Sequence, residues 1–208
     1  MFGIHDLGAF IVAGLLLNIM PGPDSLLIMA RSAAQGARAG CMAALGIGAG
    51  VFVHVFAAAL GLSAILTTSA AAFTVVKYLG AAYILYLAFG MLRSKARDAV
   101  SVAPLAPMPF TNIFAQGFLT NVLNPKVALF FLAFVPQFIH ADAQYKAFAF
   151  IVLGFIFNVN GMLWCFALAL FTARARARIQ ISPRASLWLN RATGGLFVWL
   201  GVKLGLSK

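Results

Sequence analysis

Two proline-centred interruptions of long apolar runs, Pro21-Gly22-Pro23-Asp24 and Asn124-Pro125-Lys126, restrict what this chain can fold into more than any other feature. Proline has no backbone N–H and its ring clashes with the preceding turn, so a helix entering either motif must stop and start again. Pro23 and Pro125 lie 102 positions apart in a chain of 208 residues, and one half therefore reads as a worn copy of the other. Broken apolar segments at matching places in two halves are the pattern expected where a secondary transporter builds its binding site.

The runs around the breaks belong to a bilayer. Hydrophobic residues make up 63% of the chain and charged residues 9%, far too little charge to cover the surface of a water-soluble domain of this length. The net charge of +11 comes from basic residues at the ends of apolar runs, which points to anionic lipid headgroups and membrane orientation rather than to nucleic acid. The apolar N-terminal stretch lacks a basic leading region and continues through Asp24 without a small-residue cleavage site, so it is read as a span and not a signal peptide.

About 20 residues at 1.5 Å each are needed to cross roughly 30 Å of hydrocarbon. Six stretches satisfy this: Asp6–Ala33, Ala39–Leu66, Ala70–Leu92, Thr111–Phe138, Lys146–Phe171 and Leu187–Leu206. The expected fold is an all-α integral membrane protein forming one transmembrane domain over residues 1–208. Its six helices form two three-helix repeats, 1–92 and 111–208, joined by a proline-containing linker at 93–110, with helices 1 and 4 broken. Nine Lys and Arg residues fall in loops 34–38, 93–110 and 172–186 or at their edges, against Lys77, Lys146, Lys203 and Lys208 on the other side. The positive-inside rule then places those three loops in the cytoplasm and both termini outside. Three spans per repeat make the second repeat insert upside down relative to the first.

The chemistry concentrates at the breaks. The piece before each is about 15 residues long, which at 1.5 Å per residue puts both breaks near mid-membrane. New helices are expected to start at Asp24 or Ser25 and at Asn124, all good caps, with Pro125 at the favoured first helical position. Helix N-termini facing one another suit a carboxylate and unwound carbonyls suit an ammonium, so a zwitterion fits such a place. Lys126 opposes the helix dipole and adds a mid-membrane burial penalty of roughly 2.5–3.5 kcal/mol. Asp24, at the equivalent position of the other repeat, is the partner expected to offset it. The alternative is that Asp24 only caps its helix while Lys126 snorkels to an interface.

Candidate substrate-binding residues are accordingly Pro21, Gly22, Pro23, Asp24, Asn124, Pro125 and Lys126, with Asn18 and Asn121 placed to satisfy carbonyls freed at the breaks. Asp24 and His54 are the candidates for proton coupling. His54, deep in its span, has either that role or a hydrogen-bonded packing role. Asn158 and Asn160 are about 200° apart on a helix, so at most one faces a cavity. Gly36 and Gly40, and Gly46 and Gly50, have the four-residue spacing of close helix packing. Cys41 and Cys165 are isolated and read as packing residues. No nucleophile, paired acids or ligand cluster marks an enzyme, a catalytic residue, a metal site or a cofactor. An exporter of another small cationic solute or of a metal ion is the competing reading, though three scattered histidines argue against a metal.

The stretch Asn18 to Gly50, NIMPGPDSLLIMARSAAQGARAGCMAALGIGAG, together with Thr120 to Phe138, TNVLNPKVALFFLAFVPQF, resembles the lysine exporter (LysE/RhtB) family of small bacterial amino-acid exporters. The family's PGPD motif falls on Pro21, Gly22, Pro23 and Asp24, and its NPK motif on Asn124, Pro125 and Lys126, with no departure in either. The resemblance implies a multi-pass protein of the bacterial inner membrane that moves amino acids or close derivatives out of the cytoplasm. It also implies exchange with protons and assembly as a homodimer.

Overall fold

The computed structural model describes residues 2–62, 70–93, 106–140 and 142–175, with separate positions between 187 and 206. Among these residues the chain is all-helical, with one isolated antiparallel bridge between Ile4 and Ile139. The helices are α1 Leu7–Ile19, α2 Pro23–Gln35, α3 Ala37–Leu62, α4 Ala70–Leu92, α5 Phe110–Val122, α6 Pro125–Phe138 and α7 Lys146–Ala175.

Both prolines break their helices. α1 and α2 meet at 52° and α5 and α6 at 47°, and each break follows a 13-residue helix. α3 and α7 are unbroken and apolar enough to cross a bilayer, and the two bent pairs raise the candidate spans to four among the described residues. α4 occupies the third expected span. Leu187–Leu206 lies largely outside the described residues, but its described positions are helical, with Gly194 facing Ala88 and Leu92 of α4 and Gly201 facing Ala81 and Leu85.

Two expected loops shrink. Between α2 and α3 the loop 34–38 reduces to Gly36, whose φ of 83° turns the chain where an L side chain would be strained. Gly36 is thus a turn residue and not a packing residue, since a Cβ there would meet nothing. α7 runs on to Ala175 and buries Thr172, which the loop 172–186 was expected to contain. Residues 94–105 of the linker and 176–186 of the last loop lie outside the described residues.

Packing crosses between the halves. α5 lies along α3, α1 lies along α7, and α2 is wedged between α3 and α7. The α3–α5 crossing is close because Gly46 and Gly50 face the α5 backbone and Gly117 faces that of α3. A Cβ at Gly50 would fall 2.9 Å from both Phe118 O and Asn121 Cβ. Small residues let helix backbones approach in lipid, where no hydrophobic force drives helices together. Beside this crossing, Phe130 stacks on Phe157 at 4.6 Å and Phe10 meets Phe138 edge-on at 5.3 Å, forming an aromatic core between α1, α6 and α7. α6 widens to a π turn at Phe130–Phe134 and tightens to a 3₁₀ turn at Val135–Phe138, where Pro136 cannot donate to the preceding turn. Gln137 Nε2 compensates nearby by donating to Ala133 O at 3.1 Å.

Candidate functional site

The loss of N–H groups at the first break has a specific consequence. Met20 N makes the last backbone bond of α1, to Leu16 O, and Pro21 has no proton to offer Leu17 O. Lys126, second residue of α6, reaches across to fill the gap: its Nζ donates to Leu17 O at 2.8 Å and to Met20 O at 3.1 Å. Carbonyl dipoles at the open C-terminal end of α1 are where a helix best accepts a cation.

Asp24 occupies the corresponding position of α2. Gly22 is the cap and Pro23 the first helical residue, so Asp24 and Ser25 do not cap the helix as expected. The Asp24 carboxylate instead reaches the second break, where its Oδ2 accepts from Asn121 Nδ2 at 2.8 Å and Asn124 Nδ2 at 3.1 Å. Asn124 does cap its helix, accepting at Oδ1 from Lys126 N at 3.0 Å, with Pro125 at the first position. One amide thereby serves two purposes, its oxygen closing α6 and its nitrogen holding Asp24.

The expected Asp24–Lys126 ion pair is not formed. Among the described residues the one carboxylate within 4 Å of a basic group is Asp6, beside His5. Asp24 and Lys126 line one cavity, and each is held by neutral dipoles of the other half. The reason is geometric: the carbonyls opened by Pro21 and Pro23 lie closer to the lysine than the carboxylate does, and two side-chain amides engage the acid. Asn18 and Asn121 differ from expectation as well. Lys126, not Asn18, satisfies the freed carbonyls, and Asn121 gives its amide to Asp24.

The cavity is lined at its polar side by Asn18, Gly22, Asp24, Asn121, Asn124 and Lys126. Pro21, Pro23 and Pro125 shape the backbone without lining it. His54 also stays outside it: Nε2 donates to Asn121 O at 3.0 Å, and the ring stacks over Phe131. Asn158 lines the cavity and Asn160 does not; the Asn158 amide donates to Gly48 O at 3.3 Å. The water-accessible space is about 30 Å³, enough for two or three waters at about 10–15 Å³ each and too small for an amino acid.

Sequence reasoning missed Arg31, counted there as a loop cation. It is 3% exposed on α2 and donates to Gln116 Oε1 through Nε and Nη2, at 3.1 and 2.8 Å, and to Ala106 O through Nη1 at 3.0 Å. One turn later Gln35 exchanges two 3.0 Å bonds with the Met108 backbone. The signal was available, since Arg31 lies two turns beyond Asp24 and so shares its helix face. At the end of α6, His5 N donates to Phe138 O at 3.0 Å and His140 N to Gly3 O at 2.8 Å. Each half's second helical piece is thus pinned to the chain leading into the other half's first piece.

Apolar helices of bilayer length around a buried polar cavity at two helix breaks define the class: an α-helical multi-pass membrane protein with discontinuous helices. The family follows from comparison, because the chain belongs to the LysE type translocators, whose family model matches residues 15–208. An uncharacterised membrane protein of Pseudomonas aeruginosa is 34% identical over 99% of this chain and 97% of its own length. An uncharacterised membrane protein of Bacillus subtilis is 31% identical over 98% of this chain and all of its own. The leucine efflux protein of Salmonella typhimurium is 28% identical over 98% of this chain and 96% of its own length. No solved structure matches the chain.

Proposed function

We propose that this protein is a secondary active exporter of amino acids or close derivatives in the bacterial inner membrane, coupled to protons and working by alternating access. One observation carries the reading: an acid and a base, each placed just after a helix-breaking proline, share a small buried cavity and are bound by the opposite half. A solute that engages either group loosens a bond between the halves, which is what alternating access needs.

Six spans in two inverted repeats fit the matched 13-residue pieces, the similar bends of 52° and 47°, and the crossed packing of α1 on α7 and α5 on α3. Proton coupling through Asp24 and His54 draws support from Asn121, whose carbonyl accepts from His54 while its amide donates to Asp24. A change of protonation at either end is felt at the other through that one residue. The efflux function named for the Salmonella relative places amino acids first among substrates to try.

Purified protein in proteoliposomes should exchange radiolabelled amino acids, and an imposed pH gradient should drive net movement. Asp24→Asn should abolish the gradient-driven component. If that variant follows the gradient as well as the wild type, the carboxylate has no part in coupling.

A further inference from the structure

The polar groups at the cavity are incompletely used. Asp24 Oδ1 and Asn18 Nδ2 are buried and have no hydrogen-bond partner among the described residues. The Lys126 ammonium carries three N–H groups and spends two on Leu17 O and Met20 O. Asn121 Oδ1 is also unpartnered; it lies against Gly50 of α3 as Asn18 Nδ2 lies against Gly161 of α7, and both residues line the cavity. Buried polar atoms in native proteins are nearly always paired, so two open acceptors and two open donors around one cavity mark where a ligand completes them. An α-ammonium only donates and an α-carboxylate only accepts, which assigns the first to Asp24 and the second to Asn18 and Lys126.

The remaining wall limits the side chain. Leu17, Ile47, Val51, Val127, Phe157 and Met162 are apolar, the Asn158 amide is spent on Gly48 O, and the other side chains there, Ser25 and Cys165, are small and neutral. Among the described residues Asp24 is the one carboxylate at the cavity, and Lys126 the one Lys or Arg. A cationic side chain would enter without a counter-charge, and an anionic one would compete with the α-carboxylate for a single lysine. Either leaves a desolvated charge unpaired.

We propose that the site, once the halves move apart to admit a substrate, selects amino acids with uncharged, apolar side chains, held with the α-ammonium on Asp24 Oδ1 and the α-carboxylate between Asn18 Nδ2 and Lys126. The proposal rests on the export reading above. It adds which residue meets which end of the substrate and excludes basic and acidic side chains.

Counterflow into proteoliposomes with radiolabelled leucine, methionine, lysine, arginine and glutamate tests it. Leucine and methionine should exchange at least about tenfold faster than the three charged amino acids. Lysine, arginine or glutamate at or above the leucine rate overturns the selectivity while leaving amino-acid export intact. No exchange of any proteinogenic amino acid overturns the export reading itself. The end-on assignment is tested by competition with isoamylamine, which lacks the carboxylate, and with 4-methylpentanoate, which lacks the ammonium. Both should compete at least about tenfold more weakly than leucine in the wild type. Asn18→Ala should weaken leucine and leave isoamylamine unchanged, whereas the opposite pattern reverses the assignment. The wild-type comparisons decide the selectivity even if Asn18→Ala does not fold.

Discussion

At the second break Asn124 caps its own helix from one residue before it, whereas the groups that complete the first break come from more than 100 residues away. Pro125 sits at the first helical position, where its missing N–H is no loss, and one short amide closes the turn. The Pro21-Gly22-Pro23 segment opens the Leu17 and Met20 carbonyls, and among the described residues it is Lys126 of the other half that satisfies them. One break is therefore complete as local sequence, and the other is complete only when the two halves are together. The difference teaches where conformational freedom resides: separating the halves leaves the α6 cap intact and strips the end of α1.

The clamps at the far ends of α2 and α6 repeat the contrast. α6 is tied through backbone groups of Gly3, His5, Phe138 and His140, while α2 is tied through the side chains of Arg31 and Gln35. Apart from Gly3, whose positive φ and contact with Ala143 leave no room for a side chain, the backbone clamp does not depend on side-chain identity, so the side-chain clamp can be weakened by mutation without touching the first.

The comparison can be broken most severely at Lys126. Lys126→Met leaves Leu17 O and Met20 O without their donor, at about 1–3 kcal/mol for each buried group. Exchange in proteoliposomes should fall about 30-fold or more, since two such groups cost at least about 2 kcal/mol together and each 1.4 kcal/mol is tenfold. Activity near the wild-type level would show that the first break closes by itself.

Asn124→Ala should cost about 0.5–2 kcal/mol for the cap and also remove one of the two donors to Asp24. A drop of about tenfold in transport is expected, with a lowered melting temperature in detergent. If Lys126→Met and Asn124→Ala proved equally damaging, the distinction between a self-sufficient and a dependent break would fail.

His54→Phe keeps an aromatic ring over Phe131 and removes the donor to Asn121 O, a loss of about 1 kcal/mol. Transport should persist with a flattened pH profile. An unchanged profile would confine His54 to packing.

The smallest effect is expected at Gln35→Ala, which deletes two partly buried bonds to Met108 worth about 1–2 kcal/mol together. Thermal unfolding in detergent should shift by a few degrees at about 1 kcal/mol per few degrees, with substrate selectivity unaltered. Changed selectivity would tie this clamp directly to the cavity.

Much of the architecture was legible in the residues. The helix ends near Ile19 and Val122, the restart at Pro125 and the Asn124 cap follow from proline chemistry and local capping, whereas the first restart comes at Pro23 with Gly22 as cap, ahead of the expected Asp24 or Ser25. Unbroken spans such as Lys146–Ala175 follow from hydropathy over a length that matches a bilayer. Less legible was who bonds to whom. Asp24 and Lys126 invited pairing as opposite charges at equivalent positions, yet the acid found two amides and the base two carbonyls. Arg31 looked like a loop cation: its place on the Asp24 face was readable from spacing, but its partners Gln116 and Ala106, 85 and 75 positions away, were not.

Sequence alone determined where this chain must break, which segments belong in lipid, and that an acid and a base follow the breaks, because these depend on neighbouring residues and on the solvent. Tertiary structure decided the partners of those two charges and which polar atoms stay unpaired at the cavity. Such bonds depend on ångström-scale distances between residues about 100 positions apart, and those distances exist only once α3, α5 and α7 have packed.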